Sequence, residues 1–309
     1  MTDVVFAEQP LSGAQFELVN GEYSASIASV GASLRRLTFA GRDLVVPFEA
    51  NEVRPAYRGA TLAPWPNRVV DGLYSFGGVD NILALTEPKR GHALHGFVGW
   101  SNFTAVSVDT SRVVLATTIE AQVGYPYRVA IEVLFELTAD GLYSSVTATN
   151  TGTDAAPWGT GPHPYLVGGP GLVDDWTLTL PATKVLQVTE DRLIPTGLEA
   201  VDGTGFDFRT PRVIGDTFID HAFTGLDRQD EIAEVRVESA DGTGVAMRWD
   251  TQCPWVQLHT ADQPEPAISR LGLAVEPMTC PPDAFNSGTD LVVLEPGYSH
   301  TAGWTIAAI

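Results

Sequence analysis

Five short segments of the sequence place polar, potentially reactive side chains among glycine, proline and aromatic residues instead of on a solvated face. They are 63–68 (Ala-Pro-Trp-Pro-Asn-Arg), 92–96 (His-Ala-Leu-His-Gly), 159–165 (Gly-Thr-Gly-Pro-His-Pro-Tyr), 218–223 (Phe-Ile-Asp-His-Ala-Phe) and 273–277 (Leu-Ala-Val-Glu-Pro). Histidine titrates near neutral pH and carboxylates are ionised there, so these side chains could carry protons or bind polar groups. Loops of this composition on a rigid scaffold are where function usually lies.

Taken singly, each of these side chains also has a structural explanation. His163 lies between two prolines, so its backbone is restricted, and it is either a functional histidine or a hydrogen-bonded structural one. Glu276 follows three apolar residues and precedes a proline, which predicts a solvated carboxylate at the end of a strand. Arg68 and Asp220 are expected, one at a time, to belong to structural ion pairs.

Metal and phosphate sites are disfavoured by the spacing of their candidate residues. His92 and His95 occur without an HExxH motif or a nearby cysteine, which is weak evidence for a pair of metal ligands. The run Gly168-Gly169-Pro170-Gly171 does not begin a helix after a strand, so a phosphate-binding loop is not expected there.

The elements that must position these residues are predicted to be strands. Alternate residues from Val129 to Leu137 are apolar, and the same period of two recurs within 233–249. Asp140-Gly141 and Asp241-Gly242 lie between such segments and predict hairpin turns. No amphipathic helix of four turns is found. The sequence therefore predicts an all-β fold, a large antiparallel β-sandwich.

Length and composition favour one large domain and argue against several classes of function. The chain has 309 residues, 44% hydrophobic and only 18% charged, so it can bury a sizeable core. Because no segment has the composition of a linker and no repeat is found, we expect residues 1–309 to form a single domain. The net charge of −20, from 38 acidic and 18 basic residues, argues against nucleic-acid binding and mildly against anionic ligands.

The sequence also bears on the compartment. No run approaches the roughly 18 apolar residues of a membrane helix, and residues 1–8 lack a basic segment followed by an apolar one. Cys253 and Cys280 could form one disulfide but make no CxxC pair. We expect a cytoplasmic protein, monomeric or homodimeric, that binds neither membranes nor nucleic acid.

In their order along the chain, these segments resemble the aldose 1-epimerase (galactose mutarotase) family over nearly the whole length. The matching elements are Gly31-Ala32-Ser33-Leu34-Arg35, Asn67-Arg68-Val69, Ala93-Leu94-His95-Gly96, Gly161-Pro162-His163-Pro164-Tyr165, Ile194-Pro195-Thr196-Gly197, Phe206-Asp207-Phe208-Arg209, Ile219-Asp220-His221-Ala222-Phe223, Ala274-Val275-Glu276-Pro277, Asp283-Ala284-Phe285-Asn286 and Leu294-Glu295-Pro296-Gly297. So many elements in the right order are a strong signal. The His-Pro-Tyr form of the fourth element is similar to that of divergent bacterial branches.

The resemblance implies a supersandwich with an open sugar cleft and a cofactor-free isomerase that interconverts the α and β anomers of a free aldose. It implies His163 as the general acid and Glu276 as the general base, with Arg68, His95 and Asp220 as substrate contacts. Opening the ring takes a proton from the C1 hydroxyl and delivers one to the ring oxygen, which is work for positioned acid–base groups. A protonated His163 and an ionised Glu276 are expected to stabilise each other's charges.

The sequence departs from the family at three places that are expected to border the cleft and to bear on sugar identity. An asparagine after the His-x-Tyr motif is missing, because the chain has Leu166-Val167 there; an asparagine before the Leu-His element is replaced, with His92 as the nearest candidate; and a glycine after that histidine is Phe97. Trp65, Phe97 or Tyr165 is a candidate to cover a sugar face, and core packing explains each equally well.

Two other functions stay open. A non-catalytic sugar-binding protein could use the same scaffold, although it would not need both His163 and Glu276. The substrate could also be an anionic hexose, either sulfonated or, less favourably, phosphorylated, which requires a cationic pocket. The candidates for that pocket are Arg58, Arg68, Lys89 and Arg90.

Overall fold

The computed structural model describes residues 8–309. The segment 1–7, which makes up most of the stretch 1–8 considered for the compartment, lies outside the described residues. The strands, in chain order, are Gln15–Asn20 (β1), Tyr23–Ala28 (β2), Ser33–Phe39 (β3), Arg42–Asp43 (β4), Thr61–Leu62 (β5), Arg68–Val70 (β6), Leu73–Phe76 (β7), Val79–Ile82 (β8), His92–Leu94 (β9), Thr104–Val108 (β10), Arg112–Ile119 (β11), Val129–Thr138 (β12), Gly141–Asn150 (β13), Ala156–Trp158 (β14), Gly161–Pro162 (β15), Tyr165–Leu166 (β16), Thr177–Thr179 (β17), Ala182–Val188 (β18), Pro195–Ala200 (β19), Arg212–Val213 (β20), Asp220–Leu226 (β21), Ala233–Glu238 (β22), Gly244–Trp249 (β23), Trp255–His259 (β24), Leu273–Met278 (β25), Val292–Leu294 (β26) and Ser299–Ala308 (β27).

Helical structure is confined to short pieces. Turns of 3₁₀ helix lie at Pro55–Tyr57, Val98–Trp100, Val173–Asp175 and Pro266–Ile268, and a four-residue α-helix spans Ala284–Ser287 (α1). None of the helices within 8–309 is long and apolar enough to cross a membrane.

Three sheets carry most of the structure. A nine-stranded sheet has the order β10-β11-β12-β13-β27-β23-β22-β17-β20, a six-stranded sheet has the order β16-β25-β24-β21-β18-β19, and a four-stranded sheet has the order β1-β2-β3-β4. Four separate two-stranded ladders, among them β6-β9 and β5-β15, complete the strand pairing of the described residues. Every ladder between the named strands is antiparallel. The predicted all-β antiparallel fold is confirmed.

One hydrophobic cluster joins the three sheets. In β12 the alternate residues from Val129 to Leu137 are all buried, as their period of two predicts, because one face of the strand packs inward. The cluster also contains Ile27 of the four-stranded sheet and Val275 of the six-stranded sheet. Both predicted hairpins form: Asp140-Gly141 connects β12 to β13, and Asp241-Gly242 lies between β22 and β23.

The expected position of Glu276 is wrong. It is not a solvated strand-end residue, because it lies inside β25 opposite Gln257 and is 2% exposed. The strand continues through Pro277 because the N–H groups of Val275 and Thr279, on either side, donate to the carbonyls of the 160–164 segment. The missing N–H of the proline therefore removes one bond from the middle of this row without ending the strand.

Candidate active site

Four polar side chains form one face of the site, and the register of three neighbouring strands places them there. Gln257 and His259 are two residues apart in β24 and so share a face. Glu276 of β25 lies opposite Gln257, and Asp220 of β21 lies opposite His259. The intervening residues Val256, Leu258 and Val275 point the other way into the core cluster. We call these four side chains the strand quartet.

His163 faces the strand quartet from the short connection between β15 and β16. Its backbone is fixed on both sides, since its N–H donates to the carbonyl of Ala60 (3.0 Å) and its carbonyl accepts from the N–H of Gly59 (2.8 Å). Its Nε2 lies 3.5 Å from Oε1 of Glu276. Oε2 of Glu276 is buried and accepts no hydrogen bond within residues 8–309, so it is open to a ligand. The predicted imidazole and carboxylate therefore meet.

The opposite wall carries Arg68, at the start of β6, and His95, which follows β9. Arg68 donates from Nε and Nη2 to the two carboxylate oxygens of Glu87 at 2.7 and 3.0 Å. Nδ1 of His95 accepts from the N–H of Asn67 (3.2 Å), which leaves Nε2 to carry the proton of the neutral ring. Burial, and then the charges of His163 and Arg68, lower the pKa of His95 well below its usual value, so His95 is a neutral donor.

Gly96 explains why a glycine must follow this histidine. His95 and Gly96 both have positive φ, of 62° and 70°, where the chain turns sharply past Ala63. A Cβ at Gly96 would lie 1.9 Å from the carbonyl oxygen of Ala63, which no side chain can tolerate. The Leu-His-Gly element is therefore a local requirement for bringing His95 to the wall.

Burial sets the pKa values of His163 and Glu276, and it opposes the mutual stabilisation of their charges that is expected from the sequence. Burial lowers the pKa of His163 to about 3, with the charges of His259 and Arg54 acting in the same direction. Burial and the charge of Asp220 raise the pKa of Glu276 well above its usual value, against the opposing charge of Arg68. Both shifts favour the uncharged form of the pair, imidazole with carboxylic acid.

A stability prediction follows from the raised pKa of Glu276. The folded state binds this proton more tightly than the unfolded chain, so the contribution to the free energy of unfolding is full below a pH of about 4.3 and is lost as pH rises through the folded-state pKa. Glu276→Gln cannot ionise. We expect the variant to match the wild type near pH 4 and to become progressively more stable than it above about pH 5. Urea unfolding from pH 4 to 9 measures this difference, and a pH-independent difference would contradict it.

The two walls enclose a cleft of about 340 Å³ that brings together all five predicted site residues. The cleft is lined by His163, Glu276, Arg68, His95 and Asp220, together with Tyr57, Asn67, Glu87, Arg90, Tyr165, Phe218, Gln257, His259, Asp262 and Gln263. An adjoining cavity of about 440 Å³ is reached past Ala56, Tyr165 and Gln263, and Arg58 lines it. Lys89 lines neither.

The residues at the three departures do not line the cleft, so that expectation is wrong. Leu166 is fully buried in the core, and Phe97 packs edge-on against Trp65 with ring centroids 4.9 Å apart. Nδ1 of His92 accepts from the N–H of Asp71 (3.2 Å), and Nε2 lies 2.8 Å from the carbonyl oxygen of Arg192. His92 is thus a structural histidine whose two nitrogens both bind backbone.

Among the three aromatic candidates only Tyr165 reaches the cleft. Its hydroxyl donates to the carbonyl of Ala56 (3.1 Å), and its ring stacks on His163 with centroids 5.1 Å apart. Trp65 is buried between Phe97 and Phe285 and belongs to the core. Tyr57, which sequence reasoning missed, lies edge-on to His95 at 4.7 Å.

Sequence reasoning also missed Glu87, Gln257 and His259. The two β24 residues left a signal, because Trp255-Val256-Gln257-Leu258-His259 alternates and puts two polar side chains on one face of an otherwise apolar strand. Glu87 left none, since it lies in an irregular loop between β8 and β9. Cys253 and Cys280 are both buried free thiols, and within 8–309 no three His, Cys, Asp or Glu side chains are placed to hold a metal ion.

Comparison with known proteins gives a consistent result. The family model of aldose 1-epimerase matches residues 14–307. The protein YihR of Escherichia coli K12 is 37% identical over 290 residues, which cover 94% of this chain and 91% of YihR. The aldose 1-epimerase of the same organism is 28% identical over 195 residues, which cover 57% of this chain and 55% of that protein.

Solved structures agree on the fold. The crystal structure of a GalM/aldose epimerase homologue from C. elegans has a TM-score of 0.84 at 22% identity, and the match covers 96% of this chain and 98% of that one. The crystal structure of galactose 1-epimerase from Lactobacillus acidophilus NCFM has a TM-score of 0.79 at 20% identity, with coverage of 94% and 93%. With a family model that matches nearly the whole chain, this protein belongs to the aldose 1-epimerase family.

Proposed function

We propose that this protein is a mutarotase that interconverts the α and β anomers of a free aldose, with His163 as general acid and Glu276 as general base. The observation that carries the proposal is the 3.5 Å separation between Nε2 of His163 and Oε1 of Glu276 on one cleft, with Oε2 of Glu276 open. Membership of the aldose 1-epimerase family supports it. Arg68, His95 and Asp220 are proposed to hold the ring hydroxyls and so fix its orientation.

Ring opening requires a proton on His163 and an ionised Glu276. Arg68 lowers the pKa of Glu276, and sugar hydroxyls that donate to the carboxylate act in the same direction, so substrate binding favours this form. Glu276 accepts the proton of the C1 hydroxyl, the bond from C1 to the ring oxygen breaks as the C1 carbonyl forms, and His163 delivers its proton to the ring oxygen. The pair ends as imidazole and carboxylic acid, which is the form that burial favours.

Ring closure reverses these steps on the other face of the carbonyl. After rotation about the C1–C2 bond the released hydroxyl attacks C1, His163 takes its proton, and Glu276 returns a proton to the carbonyl oxygen. The pair is restored and the anomer is inverted. Neither electrons nor groups are transferred to the protein, so this scheme uses only side chains.

The charges of the cleft favour a neutral aldose over a sulfonated or phosphorylated one. Its cationic side chains are Arg68 and Arg90, and both bind Glu87. Its acidic side chains are Glu87, Asp220, Asp262 and Glu276. An anionic group would therefore find both cleft arginines already paired with a carboxylate, and it would face the carboxylate of Asp220 as well.

The test is catalysis of anomer exchange by the purified protein. Polarimetry or NMR exchange spectroscopy would follow α-to-β conversion of neutral, phosphorylated and sulfonated hexoses with and without protein. We expect acceleration for a neutral aldose. Binding without acceleration would instead indicate a sugar-binding protein, and acceleration restricted to sulfonated or phosphorylated sugars would overturn the preference for a neutral one.

A further inference from the structure

His259 is a cleft residue that the acid–base scheme does not use. It ends β24, its side chain is 23% exposed, and it lines the cleft. Its Nδ1 is shielded from solvent and has no hydrogen-bond partner within residues 8–309. A shielded polar nitrogen beside a cleft is costly unless a ligand completes its hydrogen bond.

The carboxylate of Asp220 is the closest acidic group to that nitrogen, but it is too far away to complete its hydrogen bond. Oδ2 of Asp220 lies 4.0 Å from Nδ1 of His259, beyond hydrogen-bond length. The other oxygen of Asp220 is already fixed, because Nε2 of Gln257 donates to Oδ1 at 2.7 Å. The carboxylate is therefore held in place and cannot swing towards His259 without breaking this bond.

A separation of 4.0 Å suits one shared oxygen atom. If one oxygen atom lay about 2.8 Å from both Nδ1 of His259 and Oδ2 of Asp220, the angle at that oxygen would be roughly 90°, which is acceptable hydrogen-bond geometry. A sugar hydroxyl can form both hydrogen bonds at once, because it donates its proton to the carboxylate of Asp220 and accepts a hydrogen bond from the N–H of the His259 ring.

We propose that His259 and Asp220 together bind one non-anomeric hydroxyl of the sugar ring, and that His259 is thereby a specificity-determining residue. The inference rests on the proposed function and names the group that recognises the substrate. A deoxy sugar that lacks this hydroxyl, or an epimer that directs it elsewhere, leaves Oδ2 of Asp220 and Nδ1 of His259 without this partner, and this is the condition under which discrimination is strong.

The test compares a good aldose substrate with its monodeoxy analogues lacking O2, O3, O4 or O6. For the wild type, kcat/KM should fall at least about 100-fold for one analogue. In His259→Phe, kcat/KM for the parent sugar should fall about 10- to 100-fold, mainly through KM, while the value for the matching deoxy sugar changes less than about threefold. His259→Asn, whose amide nitrogen can take the place of Nδ1, should recover part of the discrimination.

His300→Phe is the matched control, since it replaces a half-buried histidine of the nine-stranded sheet outside the cleft. It should leave the ratio of parent to deoxy sugar unchanged. Loss of activity in His259→Phe that is equal for all the sugars would indicate a merely structural role and overturn the proposal.

Titration calorimetry with the same sugars separates this proposal from the proposed function. If the wild type accelerates no anomer exchange but His259→Phe still removes the difference in Kd between parent and deoxy sugar, only the mutarotase assignment fails. If no sugar of the panel binds, both fail.

Discussion

Glu276→Gln and His163→Asn are each expected to lower kcat for anomer exchange by about 10² to 10⁴-fold, because each removes a group that moves a proton in the transition state. The double variant should be little worse than either single one, since the two residues, 3.5 Å apart, act in the same ring-opening step. Polarimetry with the preferred sugar measures the loss over the uncatalysed rate.

Sugar affinity is the control for this loss. Both variants keep the cleft walls, so Kd from calorimetry should stay within about threefold of the wild type, and His300→Asn should keep full activity. Full activity in both single variants would show that the general acid and the general base are assigned to the wrong residues.

Glu87→Ala is expected to lower the free energy of unfolding by about 3 kcal/mol, because it leaves a buried guanidinium without its carboxylate. The Arg68 side chain is only 10% exposed, and both of its short hydrogen bonds to Glu87 would be lost. KM for the sugar should rise as well, since Arg68 would no longer be held against the cleft. Urea unfolding and initial-rate kinetics measure the two effects.

The chain offers a matched control for this prediction. Glu120 binds Arg128 through the same two-bond arrangement, at 2.9 and 3.1 Å, but both side chains are exposed to solvent. Glu120→Ala should therefore change the unfolding midpoint very little, because solvent screens and replaces the pair. Equal losses in the two variants would show that burial does not determine the strength of the Arg68–Glu87 pair.

Most of the fold could be predicted from local patterns. The alternation in β12 and the Asp-Gly turns specify both a strand and its partner, because a period of two fixes the buried face and a tight turn fixes the register. The order of sheets could not be predicted from such patterns. The nine-stranded sheet places β27 between β13 and β23, and no local pattern in the 299–308 segment predicts these two neighbours.

Site residues that belong to sequence motifs could be predicted, and features that depend on the packing of distant segments could not. His163 and Glu276 were found through the resemblance, but the burial of Glu276 was missed, because its proline neighbour indicates a strand end. His92 and His95 belong to one motif, but the pairing of β6 with β9 gives them different surroundings. His92 binds backbone groups, and His95 lies at the cleft. Glu87 was missed since its partner Arg68 is distant in sequence.

Under the proposed function, the strand quartet limits how the sugar specificity of this protein can change. Hydrogen bonds between adjacent strands, about 4.8 Å apart, set the spacing of its side chains. A slip of one residue would turn Val275 instead of Glu276 towards the cleft. Selection for a new sugar therefore has little freedom on this side. It can act on the loops and the 3₁₀ turn that carry Tyr57, Arg90 and Gln263, where insertions and substitutions reshape the cleft while the placement of His163 and Glu276 is inherited intact.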